Sequence, residues 1–271
     1  MTKEDYKKLA LEIRKKILSM HAKSKSSHIG SAFSCVEILV TLYFKILKIN
    51  PKNLEDNNRD RFILSKGHAC SALYATLAKR NFFSEKILDT YAINGGQLFG
   101  HITKGIVPGI ETSAGSLGHG LPIGIGIAIS MRYDKTKSRV FILMSDGECN
   151  EGSIWEGALF AAHHKLENLV AIIDYNKLQA FGTTDEVIGL EPFVEKWESF
   201  GWAVKEVDGH NFKQLIETLD KVPFEKDKPS MVIAHTVKGK GVSFMENKLE
   251  WHYKSPNQEE VIAALQELEL Q

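Results

Sequence analysis

Four short runs in this chain are apolar almost without a break: "RFIL" (61–64), "VFILMS" (140–145), "LVAIID" (169–174) and "MVIA" (231–234). A strand with one wet face alternates polar and apolar residues. A strand apolar at every position has both faces covered. Between these runs lie segments whose apolar residues recur at helical spacing. Parallel strands need such crossovers, because a tight turn cannot join them. The pattern predicts an α/β fold: a doubly wound, mostly parallel sheet flanked by helices. No internal repeat or linker interrupts it, so residues 1–271 are expected to form a single domain, with a C-terminal extension after about residue 238.

Other elements follow from periodicity and punctuation. A helix is predicted over 3–22, where Tyr6, Leu9, Ala10, Ile13, Ile17 and Met20 share a face. Ser34 and Glu37 have capping-box spacing and predict a helix running to about Leu47. Helices are predicted over 69–80 and 84–92, then after Pro122, where Gly124 and Gly126 would allow close packing. Further helices are predicted from Glu151 through the histidine pair, over 191–201 and 211–222, and last over 258–270; "WAVKEVDG" is a further strand. Residues 94–120 form a long loop rich in glycine, the kind that in a compact domain is functional or disordered.

Bulk properties remove several classes. Lys and Arg number 34, and so do Asp and Glu, so no charge imbalance points to nucleic acid or an anionic membrane. The amino-terminal stretch "MTKEDYKKLALEIRKK" lacks the apolar core of a signal peptide. No run approaches the length of a membrane span. Cys35, Cys70 and Cys149 are isolated, which argues against a disulfide framework or a thiolate zinc site. A reduced, cytoplasmic protein is expected.

The second apolar run ends in "SDG". In open parallel sheets, ligands bind beyond the carboxyl ends of the strands. Asp146 and Gly147 stand at one such end and Asn176 at the next, 176 − 146 = 30 residues on, enough for one helix and a return strand. A right-handed crossover would bring both tips to one edge. Alone, the Asp-Gly pair is an ordinary turn and Asn176 an ordinary cap. Paired, they offer oxygen ligands for a hard cation such as magnesium. Gly147 would let a phosphate approach the backbone, and the helix opening near Glu151 would favour an anion. Together these are the parts of a cation-plus-diphosphate site.

The stretch "SDGECNEGSIWEGALFAAHHKLENLVAIIDYNKLQ" closely resembles the thiamin diphosphate motif. "SSHIGSAFSCVEILVTLYF", "DRFILSKGHACSALYATL", "GHIT", "GIETSAGSLGHGLPIGIGIAI", "GWAVKEVDGHN" and "KPSMVIAHTVKGKGVSFMEN" resemble transketolase, in order, from about Ala10 to Pro256. The resemblance implies that Asp146, Asn176 and the carbonyl of Leu178 hold magnesium. It sets Gly147 and His68 at the diphosphate and Gly115 and Leu117 at the aminopyrimidine ring, with Ser116 and Glu148 as further cofactor-binding residues. It places His28, His101 and His252 along the channel to the reactive carbon, with His252 also touching the cofactor. Glu151 matches a glutamate that joins the two active sites of a dimer.

Histidines suit a sugar hydroxyl that must exchange a proton near neutral pH. The remaining six have plainer readings. His163 and His164 are expected mid-helix, His21 and His235 as structural residues, His119 as a cap and His210 in a turn.

The chain also departs from the family pattern. Ser145 stands where glycine is usual, Ile29 where proline is common, Ala180 where a larger aliphatic residue is frequent, and Tyr253 where glycine is common. Full transketolases carry two further domains. The resemblance therefore implies the N-terminal half of a split enzyme, with the final helix as a natural ending. A pyrimidine-domain chain would be the partner, in an α2β2 assembly. That partner would supply the glutamate that activates the cofactor and most residues that grip a sugar phosphate. The expected reaction transfers a two-carbon ketol unit from a ketose to an aldose. Two alternatives stay open: the cofactor-binding subunit of a 2-oxo acid dehydrogenase, and a non-catalytic transketolase-like protein.

Overall fold

A computed structural model describes residues 1–270; the final position of the expected 1–271 span lies outside them. The helices are α1 (Lys3–Ser24), α2 (Ile29–Ser34), α3 (Val36–Thr41), α4 (Cys70–Lys79) and α5 (Gly120–Tyr133). They continue with α6 (Gly152–His163), α7 (Thr184–Val187), α8 (Phe193–Ser199), α9 (Phe212–Leu219) and α10 (Gln258–Glu269). The strands are β1 (Arg61–Leu64), β2 (Val140–Ser145), β3 (Leu169–Tyr175), β4 (Ala203–Asp208) and β5 (Ser230–His235).

All five strands are parallel, in the order β1-β2-β3-β5-β4. Every residue of β2 and β3 is buried, as their uninterrupted apolar sequences require. Strand β4 lies at the edge and exposes Lys205, Glu206 and Asp208. Two apolar layers cover the sheet. One unites α1 to α4, α9 and α10 with Phe141, Leu143, Val170 and Ile172. The other packs α5, α6 and α8 against Val140, Ile142, Ala171 and Ile173. Strand side chains alternate between these layers, as a period of two demands. Each fully buried aliphatic side chain contributes about 1.5–3 kcal/mol by leaving water.

Several local expectations are corrected. The helix expected after Ser34 is present, as α3 from Val36 and a π-helical turn over Leu42–Ile46, but Cys35 stands at its N-cap with no side-chain cap, and a separate helix, α2, already opens at Ile29. Ser34 Oγ donates to the Ser31 carbonyl at 2.9 Å and to Asp174. Glu37 accepts two bonds from Arg14, at 2.6 and 2.8 Å, and faces His210 Nδ1 at 2.9 Å. Buried long-range partners thus take both residues of the apparent capping box. Helix α5 begins at Gly120, so Pro122 sits inside its first turn, where a missing N–H costs nothing. Gly124 is required there: a Cβ would meet Ile142 Cδ1 at 2.4 Å. A Cβ on Gly126 would meet nothing, so that glycine makes no close contact. The 84–92 segment is a 3-10 turn over Glu85–Thr90. His163 ends α6 and His164 caps it, so neither is mid-helix.

Among the described residues, no helix is long and apolar enough to cross a membrane.

Candidate active site

Register brings the two expected tips together. Ser145 of β2 pairs with Asp174 of β3, and the strands then release Asp146 and Asn176 side by side. The Asp146 carboxylate is buried; its oxygens accept from the backbone N–H of Gly147 and of Lys177, each at 2.7 Å. Asn176 Oδ1 accepts from Leu178 N at 3.1 Å. Lys177 takes a left-handed turn with φ of 61°, which carries the chain past Asn176. Burial, helped by the Asp174 charge, pushes the Asp146 carboxyl up to about 6. A divalent cation would reverse that shift, so the donor set fits one: a carboxylate, an amide oxygen and the Leu178 carbonyl are hard oxygen ligands. Among the described residues, no group of three His, Cys, Asp or Glu is gathered for a metal. The remaining ligands of a cation here would have to be phosphate or water.

A cavity of about 400 Å³ opens at this edge. Asp146, Gly147, Asn176 and Leu178 line it together with His28, His68, His101 and His252. Gly115, Leu117 and Glu151 also line it. Larger hollows lie between α1 and α9 and between α1 and α10, lined by none of Asp146, Asn176 and the four histidines. Two expected site residues lie off the cavity wall. Ser116 is exposed beside it. Glu148 is fully buried and accepts from Ser65 Oγ and, at 2.9 Å, from Gly118 N. It ties the end of β2 to the glycine-rich loop. Glu151 stands at the N-cap position of α6, exposed at the rim.

The four histidines form one cluster. The His28 ring lies 5.4 Å from His68, 5.8 Å from His101 and 5.0 Å from His252, centroid to centroid. His28 caps α2 with φ of 76°, a left-handed conformation that residues other than glycine rarely adopt. Its backbone N–H donates to the His252 carbonyl at 2.8 Å, which locks the two loops together. Such strain held in place by its surroundings is common at functional sites. His68 Nε2 meets Ser31 Oγ at 2.9 Å. Burial, then the charges of His101, Lys238 and Lys66, hold His28 down to about 4. Burial and Lys238 hold His252 down to about 3, and burial keeps His68 well below its usual value. These three imidazoles are neutral at pH 7.

Two lysines escaped sequence reasoning. Lys238 Nζ donates to the carbonyls of Leu178 at 3.0 Å and Gln179 at 3.2 Å, and to His252 Nδ1 at 2.9 Å. Burial pulls it down to about 8, opposed by the Asp146 charge. An ammonium has no acceptor, so His252 Nδ1 must accept and its proton sits on Nε2. The signal was available: Lys238 begins "KGKG" just beyond the last apolar run. Lys66 is wholly buried against Asp174 and also donates to the Ser31 carbonyl at 3.1 Å. Asp174 accepts further from Ser34 and Thr236. This hub pins α2, and with it His28 and Ser31, to the sheet.

The departures have structural places. Ile29 is fully buried at the first position of α2. Ser145 Oγ accepts from Glu148 N at 3.3 Å, a bond no glycine could make. Ala180 lines the cavity, and Tyr253 stands beside His252.

The chain as a whole resembles known proteins in sequence and in fold. The family model described as "Transketolase, thiamine diphosphate binding domain" matches residues 6–271. A protein of Phocaeicola vulgatus, named as one of the subunits of an apulose-4-phosphate transketolase, is 44% identical, over 94% of this chain and 90% of its own length. One of Clostridium sp., named as a subunit of a 6-deoxy-6-sulfo-D-fructose transketolase, is 40% identical, over 95% of this chain and 94% of its own. The solved transketolase of Campylobacter jejuni superposes with a TM-score of 0.93 at 25% identity, covering 99% of this chain and 43% of that one. The transketolase from Leishmania mexicana gives 0.91, also at 25% identity, covering 97% and 41%. The chain thus spans about two fifths of the solved transketolases it matches.

Proposed function

Because the chain belongs to the transketolase thiamine diphosphate binding domain family, we propose that it is the diphosphate-binding subunit of a two-chain transketolase. The observation that carries the reading is one cavity in which Asp146, Asn176 and the Leu178 carbonyl face the cluster of His28, His68, His101 and His252.

In this reading Asp146, Asn176 and Leu178 hold magnesium. Gly147, His68 and Lys238 face the diphosphate, and the backbone from Gly115 through Ser116 to Leu117 meets the aminopyrimidine. Glu148 supports that loop from behind. Thiamin diphosphate, when bound, supplies an electron sink for the carbon whose bond is cut. The chain's own residues bind and move protons. His252 carries its proton on Nε2 and donates it toward a substrate oxygen. His28 has Nδ1 against Ser27 Oγ at 2.9 Å, which leaves Nε2 to accept or return a proton. His101 shares that task. Glu151, exposed at the rim, links this site to its counterpart in the assembly.

The partner is a pyrimidine-domain chain in an α2β2 enzyme, and it completes cofactor activation. A ketose phosphate gives up a two-carbon unit to an aldose phosphate; specialised sugars are in scope, since relatives are named for apulose 4-phosphate and a sulfofructose. Cys35, Cys70 and Cys149 are free and buried, which supports a reduced, cytoplasmic setting. Purified chain with magnesium and thiamin diphosphate should show no ketol transfer, and transfer should appear when the partner is added. Robust turnover by the single chain would refute the two-chain reading.

A further inference from the structure

We propose that Tyr253 walls the channel beside His28 and His252 and sets an upper limit on the bulk of sugar the site accepts. The inference rests on the transketolase reading and names a residue that tunes it. The Tyr253 ring lies 4.8 Å from His252 and 6.2 Å from His28, centroid to centroid. It is 59% exposed, although the nearby Trp251 is fully buried. A large aromatic left wet at the flank of the histidine cluster presents a flat apolar surface to whatever approaches those histidines.

The surrounding segment holds it there. Trp251 Nε1 donates to the Phe244 carbonyl at 3.0 Å, and Tyr253 N to the Glu250 carbonyl at 3.1 Å. His28 N bonds the His252 carbonyl, and Lys254 lies 4.5 Å over the Trp251 ring while pairing with Glu260. These bonds fix the backbone of the segment, so the Tyr253 ring is rooted beside His252 and His28, next to the cavity that those histidines line. The ring acts by volume, and its hydroxyl is dispensable.

The test measures kcat/KM of the assembled two-chain enzyme for a three-carbon donor, hydroxypyruvate, and for a seven-carbon ketose phosphate. Tyr253→Gly, with Tyr253→Ala as a second opening variant, should raise the seven- to three-carbon ratio by about tenfold, the scale on which a few carbon atoms of pocket volume discriminate. Tyr253→Phe should leave that ratio near wild type. An unchanged ratio in active Gly and Ala variants overturns the wall. A Phe variant that shifts as far as Gly also overturns it, because the hydroxyl would then be the selector. Absence of transfer by the wild-type pair overturns the transketolase reading itself, and shows before any variant is compared.

Discussion

The Lys66 ammonium meets the Asp174 carboxylate with no exposed surface on either side chain. Their positions lie 108 residues apart in the chain, at the ends of β1 and β3. Ser34, Thr236 and the Ser31 carbonyl complete the hydrogen bonding. Removing one partner strands the other charge in the interior. Lys66→Met is therefore expected to cost about 3–5 kcal/mol of unfolding free energy. Pairing it with Asp174→Leu should restore part of that loss. Urea unfolding of the two single variants and the double variant checks this; strictly additive losses would mean the charges are not coupled.

Lys238 presents a positive charge to the cavity from a loop after β5. Lys238→Met should weaken magnesium-dependent thiamin diphosphate binding about tenfold or more, because the diphosphate would lose a cation that faces it across the cavity. Isothermal titration with the assembled enzyme gives the number. Unaltered affinity would remove Lys238 from the diphosphate site.

Acid stability follows from a histidine outside the site. Burial holds His21 down to about 4, against 6.5 for an unburied imidazole. Between those values the unfolded chain binds the extra proton, so stability is full above about pH 6.5 and falls as pH drops toward 4. His21 alone accounts for about 3 kcal/mol across that window. His28, His68 and His252 are depressed too and push the same way. Unfolding free energies at several pH values for wild type and His21→Gln should show a shallower acid slope in the variant. Equal slopes would mean His21 is not held neutral.

What was legible in the sequence, and what was not, has a physical basis. Strands β2 and β3 announce themselves because both of their faces are covered. The Asp146, Gly147 and Asn176 positions are legible because strand ends in a parallel sheet share an edge. His28, His68, His101 and His252 were marked by the resemblance rather than by any local pattern, and the fold gathers them into one cluster. The Lys66–Asp174 hub was not legible, since nothing local marks a pair so far apart. Ser34 and Glu37 misled for the same reason: a local capping pattern was overruled by Asp174, Arg14 and His210, each distant in sequence. Gly126 resembled a packing glycine, but of the two only Gly124 faces the sheet closely.

The central claim is that Asp146 and Asn176, delivered by adjacent strands, hold the metal that secures a diphosphate. Direct titration of thiamin diphosphate into the assembled enzyme, with and without magnesium, tests it most plainly. Wild type should bind only with the metal. Asp146→Ala and Asn176→Ala should each lose affinity by about a hundredfold, within the range for a lost charged or polar ligand of a buried ion. Tight binding that persists in a chelator, or in the folded Asp146→Ala variant, would contradict the account.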